Sequence, residues 1–188
     1  MRHNILEALH QDHINMSRIA ALIDTELGKL DEGGQPDYEL LEDIMVYVTS
    51  YPDTYHHPTE DVVFTALKRV APETSAQVDA LLAEHQTLIG AGRTFLKAIR
   101  AVEEEALVAR TEFHSQGLRY LEVLTDHMNK EETGLFRLAA DRLGAEDWAV
   151  VDAQVRTLSD PLFGETVQND FRRLRQRIST HAPMPDSA

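Results

Sequence analysis

The stretch LEALHQDHINMSRIAALIDTELGKL, residues 6–30, is echoed 72 positions later by VDALLAEHQTLIGAGRTFLKAIRAV, residues 78–102. In the first, Leu6, Leu9, His13, Met16, Ala20, Ile23, Leu27 and Leu30 recur in steps of three and four. In the second, Val78, Leu81, His85, Leu88, Gly92, Phe95, Ile99 and Val102 repeat that pattern. This is the period of one face of an α-helix, and every member except the two histidines is apolar or small, as a buried stripe requires. Each seam is followed by a His-x-x-x-Glu pair after almost the same gap. His13 precedes His56 by 43 residues and His85 precedes His127 by 42, while His56 leads to Glu60 and His127 to Glu131.

A lone histidine on an apolar seam is usually a hydrogen-bonded core residue, and a lone His/Glu pair four apart is usually an exposed helix pair. Independent accidents would not keep register over 72 residues, so the six are read together as metal ligands. Residues four apart share a helix face, which lets each pair present a nitrogen and a carboxylate to one point. Two neighbouring buried carboxylates resist ionising together, and two cations reverse that penalty. If both carboxylates bridge, two metals share four imidazoles and two carboxylates, leaving positions for an oxo or hydroxo bridge and an exogenous small molecule. Nitrogen and oxygen ligation without sulfur suits iron, with manganese or zinc as alternatives. The four-residue spacing differs from the Glu-x-x-His pairs of carboxylate-rich di-iron bundles. A histidine-rich, less negative site favours reversible ligand binding over strongly oxidising chemistry.

The same periodicity predicts an all-α fold. Helices are expected over about residues 3–30, Tyr38–Val70, Pro72–Glu104 and Thr111–Leu143, with a kink at Pro52 and another possible break at Pro58. Gly144 is read as a C-terminal cap. Long helices with short connections favour an up-down-up-down four-helix bundle over residues 1–144. Residues 145–188 form a helical extension: a short helix at Trp148–Leu158, a turn at Ser159–Gly164 whose Leu162 and Phe163 plug onto the bundle, and a last helix through Ile178. The tail His181–Ala188 is expected to fray.

A formal net charge of −14 over 188 residues argues against nucleic acid or an anionic membrane as partner. The Arg-rich run Phe171–Ile178 is expected to be a solvated helix face. With no cysteine there are no thiolate ligands, disulfides or cysteine nucleophiles. No apolar run approaches a membrane span and the start MRHNILEALHQDH lacks a signal-peptide core, so a cytoplasmic location is the expectation. Of the remaining histidines, His10, His57 and His114 are expected at the surface, the first two with a subsidiary role behind the ligands as the alternative. His3 and His181 are expected to be solvated. Tyr51 and Tyr55 are assigned to core packing.

At these residues the chain resembles the hemerythrin-like, HHE cation-binding family. Tyr51-Pro-Asp-Thr-Tyr-His-His-Pro-Thr-Glu-Asp-Val-Val-Phe64 is similar to the family's first His-His-x-x-Glu-Glu segment, with Asp61 where a second Glu is common. Asp126-His-Met-Asn-Lys-Glu-Glu-Thr-Gly-Leu-Phe136 resembles the second segment, and Asp12-His13 and Glu84-His85 resemble its acidic-His pairs. The resemblance covers about residues 3–143. It implies a non-haem di-iron centre, two oxo- or hydroxo-bridged irons, in a four-helix bundle, with ligands His13, His56, Glu60, His85, His127 and Glu131. Animal oxygen carriers of this kind place a further histidine where Ile89 stands and an aspartate in the role of Glu131. The four-His, two-Glu set is closer to bacterial relatives, including iron–sulfur repair proteins, whose cysteine-bearing module this sequence lacks. The expected function is binding of a small ligand, O2, NO or peroxide, for storage, delivery or sensing. The alternatives are an enzyme acting on peroxide or NO or aiding cluster repair, and a structural or interaction bundle.

Overall fold

The computed structural model describes residues 3–155 and 159–181, and among them every regular element is helical. α1 (Asn4–Asp31) carries the first seam and is capped by His3, whose Nδ1 accepts the Ile5 N–H at 3.4 Å. It ends in a turn where Gly33, at φ 82°, takes the left-handed conformation that favours glycine. α2 (Tyr38–Val48) starts at Asp37, whose carboxylate accepts the Leu40 N–H at 3.0 Å. Pro52 then opens a five-residue π-helical turn, Pro52–His56, before α3 (His57–Val70). The irregularity expected at Pro52 is therefore present. Pro58 lies in the first turn of α3, where its missing N–H is harmless, and makes no break.

A 3₁₀ turn at Pro72–Thr74 leads into α4 (Ser75–Glu103), which carries the second seam. α5 (Arg110–Lys130) is followed by a second π-helical turn, Glu131–Leu135, and by α6 (Phe136–Arg142). Both widened turns fall in the segments bearing the His/Glu pairs, and such turns are frequent at functional sites. Gly144 is not a C-terminal cap. Its φ of −83° is ordinary, and it stands at the N-cap of α7 (Ala145–Gln154), donating its N–H to Asp147 at 3.0 Å.

The long helices pack α1 on α5, α5 on α4 and α4 on α2. Gly117 marks the tightest approach: a Cβ there would lie 2.6 Å and 2.8 Å from the Leu27 methyls and 3.0 Å from the Phe95 ring. Arg110, at the start of α5, donates to the carbonyls of Leu30, in the last turn of α1, and of Gly34 just beyond it. The apolar interior is divided in two. One core gathers Met16, Ile23, Leu27, Ile44, Leu88, Phe95, Phe113 and Leu124. The other gathers Leu6, Leu9, Val63, Phe64, Leu81, Leu135 and Phe136. Along α1 and α4 the break between them falls at the histidine: Leu9 to Met16 around His13, and Leu81 to Leu88 around His85. The seam is thus continuous in sequence but interrupted in space by one polar layer.

The residues after 144 are tied to both cores. Trp148 and Val151 of α7 join the second, and Trp148 stacks on His3 with centroids 4.2 Å apart. His3 is therefore a capping and packing residue rather than a solvated one. The expected helix Trp148–Leu158 begins at Ala145 and ends at Gln154; residues 156–158 lie outside the described residues, as do 182–188 of the expected frayed tail. In the Ser159–Gly164 turn, Asp160 accepts the N–H groups of Leu162 (2.8 Å) and Phe163 (2.9 Å) and the Tyr47 hydroxyl (2.8 Å). Leu162 is fully buried, as expected of a plug. α8 (Arg172–His181) buries Leu174 and Ile178. Arg172 and Arg173 are exposed, as expected of a solvated face, but the face is also tied to the bundle: Arg173 pairs with Glu39 at 2.6 Å and Asp43 at 2.8 Å, and Arg177 with Asp37, all at the N-terminal half of α2 or its cap.

Candidate metal centre

All six expected ligands meet in the polar layer. α1 supplies His13, the first π-helical turn His56, α3 Glu60, α4 His85, α5 His127 and the second π-helical turn Glu131; none is more than 4 % exposed. His13 Nε2 lies 3.4 Å from Glu60 and 3.3 Å from Glu131, and His56 Nε2 lies 3.1 Å from Glu60. His85 Nε2 is 3.4 Å from Glu60 and 3.5 Å from Glu131, and His127 Nε2 is 3.3 Å from Glu131. These approaches lack hydrogen-bond alignment: all four oxygens of Glu60 and Glu131, with Nε2 of His85 and His127, have no hydrogen-bond partner. His13 and His56 meet through their Nε2 atoms at 3.1 Å, whereas the other donor atoms aim at shared space. Buried polar atoms are normally satisfied, so six such atoms at one place call for a partner that is not protein.

Behind this cluster a second ring of carboxylates fixes the imidazoles. Asp12 bonds His56 Nδ1 at 3.0 Å, Asp61 bonds His85 Nδ1 at 2.8 Å, Glu132 bonds His13 Nδ1 at 3.0 Å and Glu84 approaches His127 Nδ1 at 3.4 Å. Each acid is the chain neighbour of a different inner residue. Asp12 and Glu84 precede His13 and His85, whereas Asp61 and Glu132 follow Glu60 and Glu131. The pattern obeys the same two-fold repeat as the ligands and stitches the helices together. A carboxylate on Nδ1 sets the tautomer that leaves Nε2 as a lone-pair donor, which is how metal-binding histidines are oriented.

The electrostatics show what the cluster lacks. Burial works to lower the pKa of His13, but the carboxylates of Glu131, Glu132 and Glu60 overcome it and push the imidazole up to about 11. His85 reaches about 11 in the same way, against burial, through Asp61, Glu131 and Glu60. His56 rises to about 9 through Glu60 and Asp12. Burial and the Glu60 charge both raise the pKa of Glu131, yet the surrounding histidines hold it at about 2. Without a cation the protein recruits protons to balance its buried carboxylates. Metal ions, binding neutral imidazoles, would displace those protons.

The remaining residues divide differently from expectation. His57 is buried, at 5 % exposure, with its ring stacked on His85 at 4.6 Å. The surface was the expectation, with a role behind the ligands as the alternative because it adjoins His56; it also stands three before Glu60, and that spacing shares a helix face. The signal was present in the same four residues. His10 is half exposed and bonds Glu132 at 2.8 Å. His114 lies 3.7 Å from Asp31, away from the cluster. Tyr51 and Tyr55 pack against each other, and Tyr51 stacks on Tyr47. Both also line a cavity of about 420 Å³ with Asp12 and His56.

The residues fit divalent or trivalent cations: two groups of donors, His13–His56–Glu60 and His57–Glu60–His85–His127, each lie within 4.8 Å. Glu60 belongs to both. An all-helical bundle with a buried layer of imidazoles and carboxylates defines a cation-binding helical protein. The chain belongs to the Hemerythrin HHE cation binding domain family, whose model matches residues 4–139. No curated protein and no solved structure matches it. None of the helices among the described residues is long and apolar enough to cross a membrane.

Proposed function

We propose that this protein holds two irons in an up-down-up-down four-helix bundle, residues 1–144, and binds a small ligand there, O2, NO or peroxide, for storage, delivery or sensing. The observation that carries this reading is the pair Glu60 and Glu131, fully buried, unpartnered at all four oxygens and each within 3.5 Å of imidazole nitrogens from three helical segments or more. His13, His56, His85 and His127 would hold the metals, with the two carboxylates between them. Iron bound there would supply reversible electron transfer. The chain's own residues orient the donors through Asp12, Asp61, Glu84 and Glu132, and close the site with apolar layers on both sides.

Packing around the layer supports a ligand of few atoms. Beside it lies a small space of about 10 Å³, lined by Met16, Leu88, Gly92, Tyr120 and Leu124 with Asp53 and His57, roughly the room one water needs. Asp53, raised by burial to about 6 and unpartnered at Oδ2, adds a polar wall to it. The test is the absorption spectrum of reduced, iron-loaded protein exposed in turn to O2, NO and peroxide. A ligand-specific spectral change that reverses on removal of the ligand is expected; indifference to all three would refute the ligand reading.

A further inference from the structure

We infer that the cleft between α1 and α5, where His10 meets Glu132, is the port through which ferrous ions enter and leave the buried centre. This rests on the iron reading above. The cleft has a volume of about 320 Å³, and the inner residue His13 forms part of its wall. His10, Ser17, Thr125, Asn129 and Glu132 give it a polar lining. His10 is half exposed, and the Glu132 side chain is 23 % exposed. One oxygen of Glu132 holds both imidazoles, His10 Nδ1 at 2.8 Å and His13 Nδ1 at 3.0 Å. Three donor groups thus run from solvent to the metal layer through a single shared atom. An imidazole and a carboxylate suit ferrous iron. Two protein donors, with water making up the rest, bind an ion firmly enough to capture it and loosely enough to pass it on.

The repeat shows that His10 is not needed to orient a ligand. Residues of α1 recur in α4 after 72 positions, and those of the His/Glu segments recur after 71. His10, Ser17, Asn129 and Glu132 therefore correspond to Leu82, Ile89, Pro58 and Asp61. Asp61 bonds His85 at 2.8 Å with Leu82 in the place of His10, and Leu82 packs on the second core. The orienting carboxylate is common to both halves, whereas the outer imidazole, Ser17 and Asn129 belong to one. The cavity lined by Tyr51 and Tyr55 also reaches an inner residue, His56. Its wall includes Ile5, Ala8 and Leu9, and among the described residues it offers no imidazole besides His56. An apolar wall gives a cation nothing in place of the water it sheds.

The test is exchange of bound iron in the full, iron-loaded chain against excess isotopically labelled ferrous ion, without oxygen. Affinity is measured separately by competition with a chelator. A port sets how fast ions enter and leave but not the equilibrium, because entry and exit cross the same barrier. His10→Leu, which copies Leu82, is expected to slow exchange about 10-fold with affinity unchanged. Ser17→Trp, at an exposed position, is expected to slow it as well by filling the cleft. Ala8→Trp, also exposed, fills the other cavity and is expected to leave exchange at the wild-type rate. Faster exchange with weaker affinity in His10→Leu would make His10 a support for Glu132 and overturn the port. So would unchanged exchange in either cleft variant, or slowing in Ala8→Trp. Each of those results, with iron still bound, leaves the iron reading intact. Wild-type protein that retains no iron would overturn that reading, and the port with it.

Discussion

Asp61→Ala separates a metal-orienting carboxylate from an ordinary surface charge. Asp61 is half exposed, and its one ring contact is His85 Nδ1 at 2.8 Å. As an ion pair at that exposure it contributes about 1 kcal/mol or less to the fold, because solvent screens it. As the group that fixes the orientation of His85, its removal weakens metal binding about 10- to 100-fold, or about 1.4–2.8 kcal/mol. The two magnitudes differ enough to decide. Competition with a chromophoric chelator reads the metal affinity, and urea unfolding of the metal-free chain reads the fold. The expected result is a clear loss in the first with little change in the second, and a smaller loss for Asp61→Asn, which keeps an acceptor oxygen. Chelator competition identical to wild type would refute the role given to the outer carboxylates.

Gly117→Ala should destabilise by about 1–2 kcal/mol, overpacking against Leu27 and Phe95 outweighing the gain in helix propensity; at Gly90, open within 4 Å, the same change should stabilise by about 0.5–1 kcal/mol. Thermal unfolding that moves both variants in one direction would contradict the packing described. Asp160→Ala leaves the Tyr47 hydroxyl and the N–H groups of Leu162 and Phe163 without their acceptor, a loss of about 2–4 kcal/mol. Amide exchange in α8 should rise while metal content stays unchanged; unaltered exchange would mean the turn does not secure the extension. In the metal-free chain His13 and His85 keep protons to about pH 11 that the unfolded chain releases near 6.5. The stability they contribute is fully present below 6.5 and is lost as pH rises through 11. Between pH 7 and 9 the melting temperature of metal-free protein should fall, and the rise on adding metal should grow. A metal-free melting temperature that climbs over that interval would contradict the proton count.

Much of the molecule was legible because periodicity reports burial directly. The two seams place α1 and α4 to within three residues, and the six repeated His and Glu residues do share one buried layer. The less legible parts depend on geometry that spacing alone does not specify. His57 is expected at the surface without weight given to its spacing from Glu60, and it is buried instead. The π-helical turn at Glu131–Leu135 contains no proline to announce it. The ion pairs that tie the α8 arginines to the acidic end of α2 join residues 130 or more positions apart, which no local pattern announces. Gly144 follows one helix and precedes another, and only its φ decides which it serves. The interlocked acids were partly visible as Asp12-His13 and Glu84-His85, but which imidazole each holds belongs to the tertiary fold.

The most direct test of the central claim is iron per chain in protein loaded anaerobically and freed of excess metal, for wild type and for Glu60→Ala. Glu60 belongs to both donor groups, so its loss should affect both ions at once. The account predicts two irons per wild-type chain and a loss of both in Glu60→Ala. Wild-type protein that retains no iron, or a Glu60→Ala variant that still retains two, would contradict it.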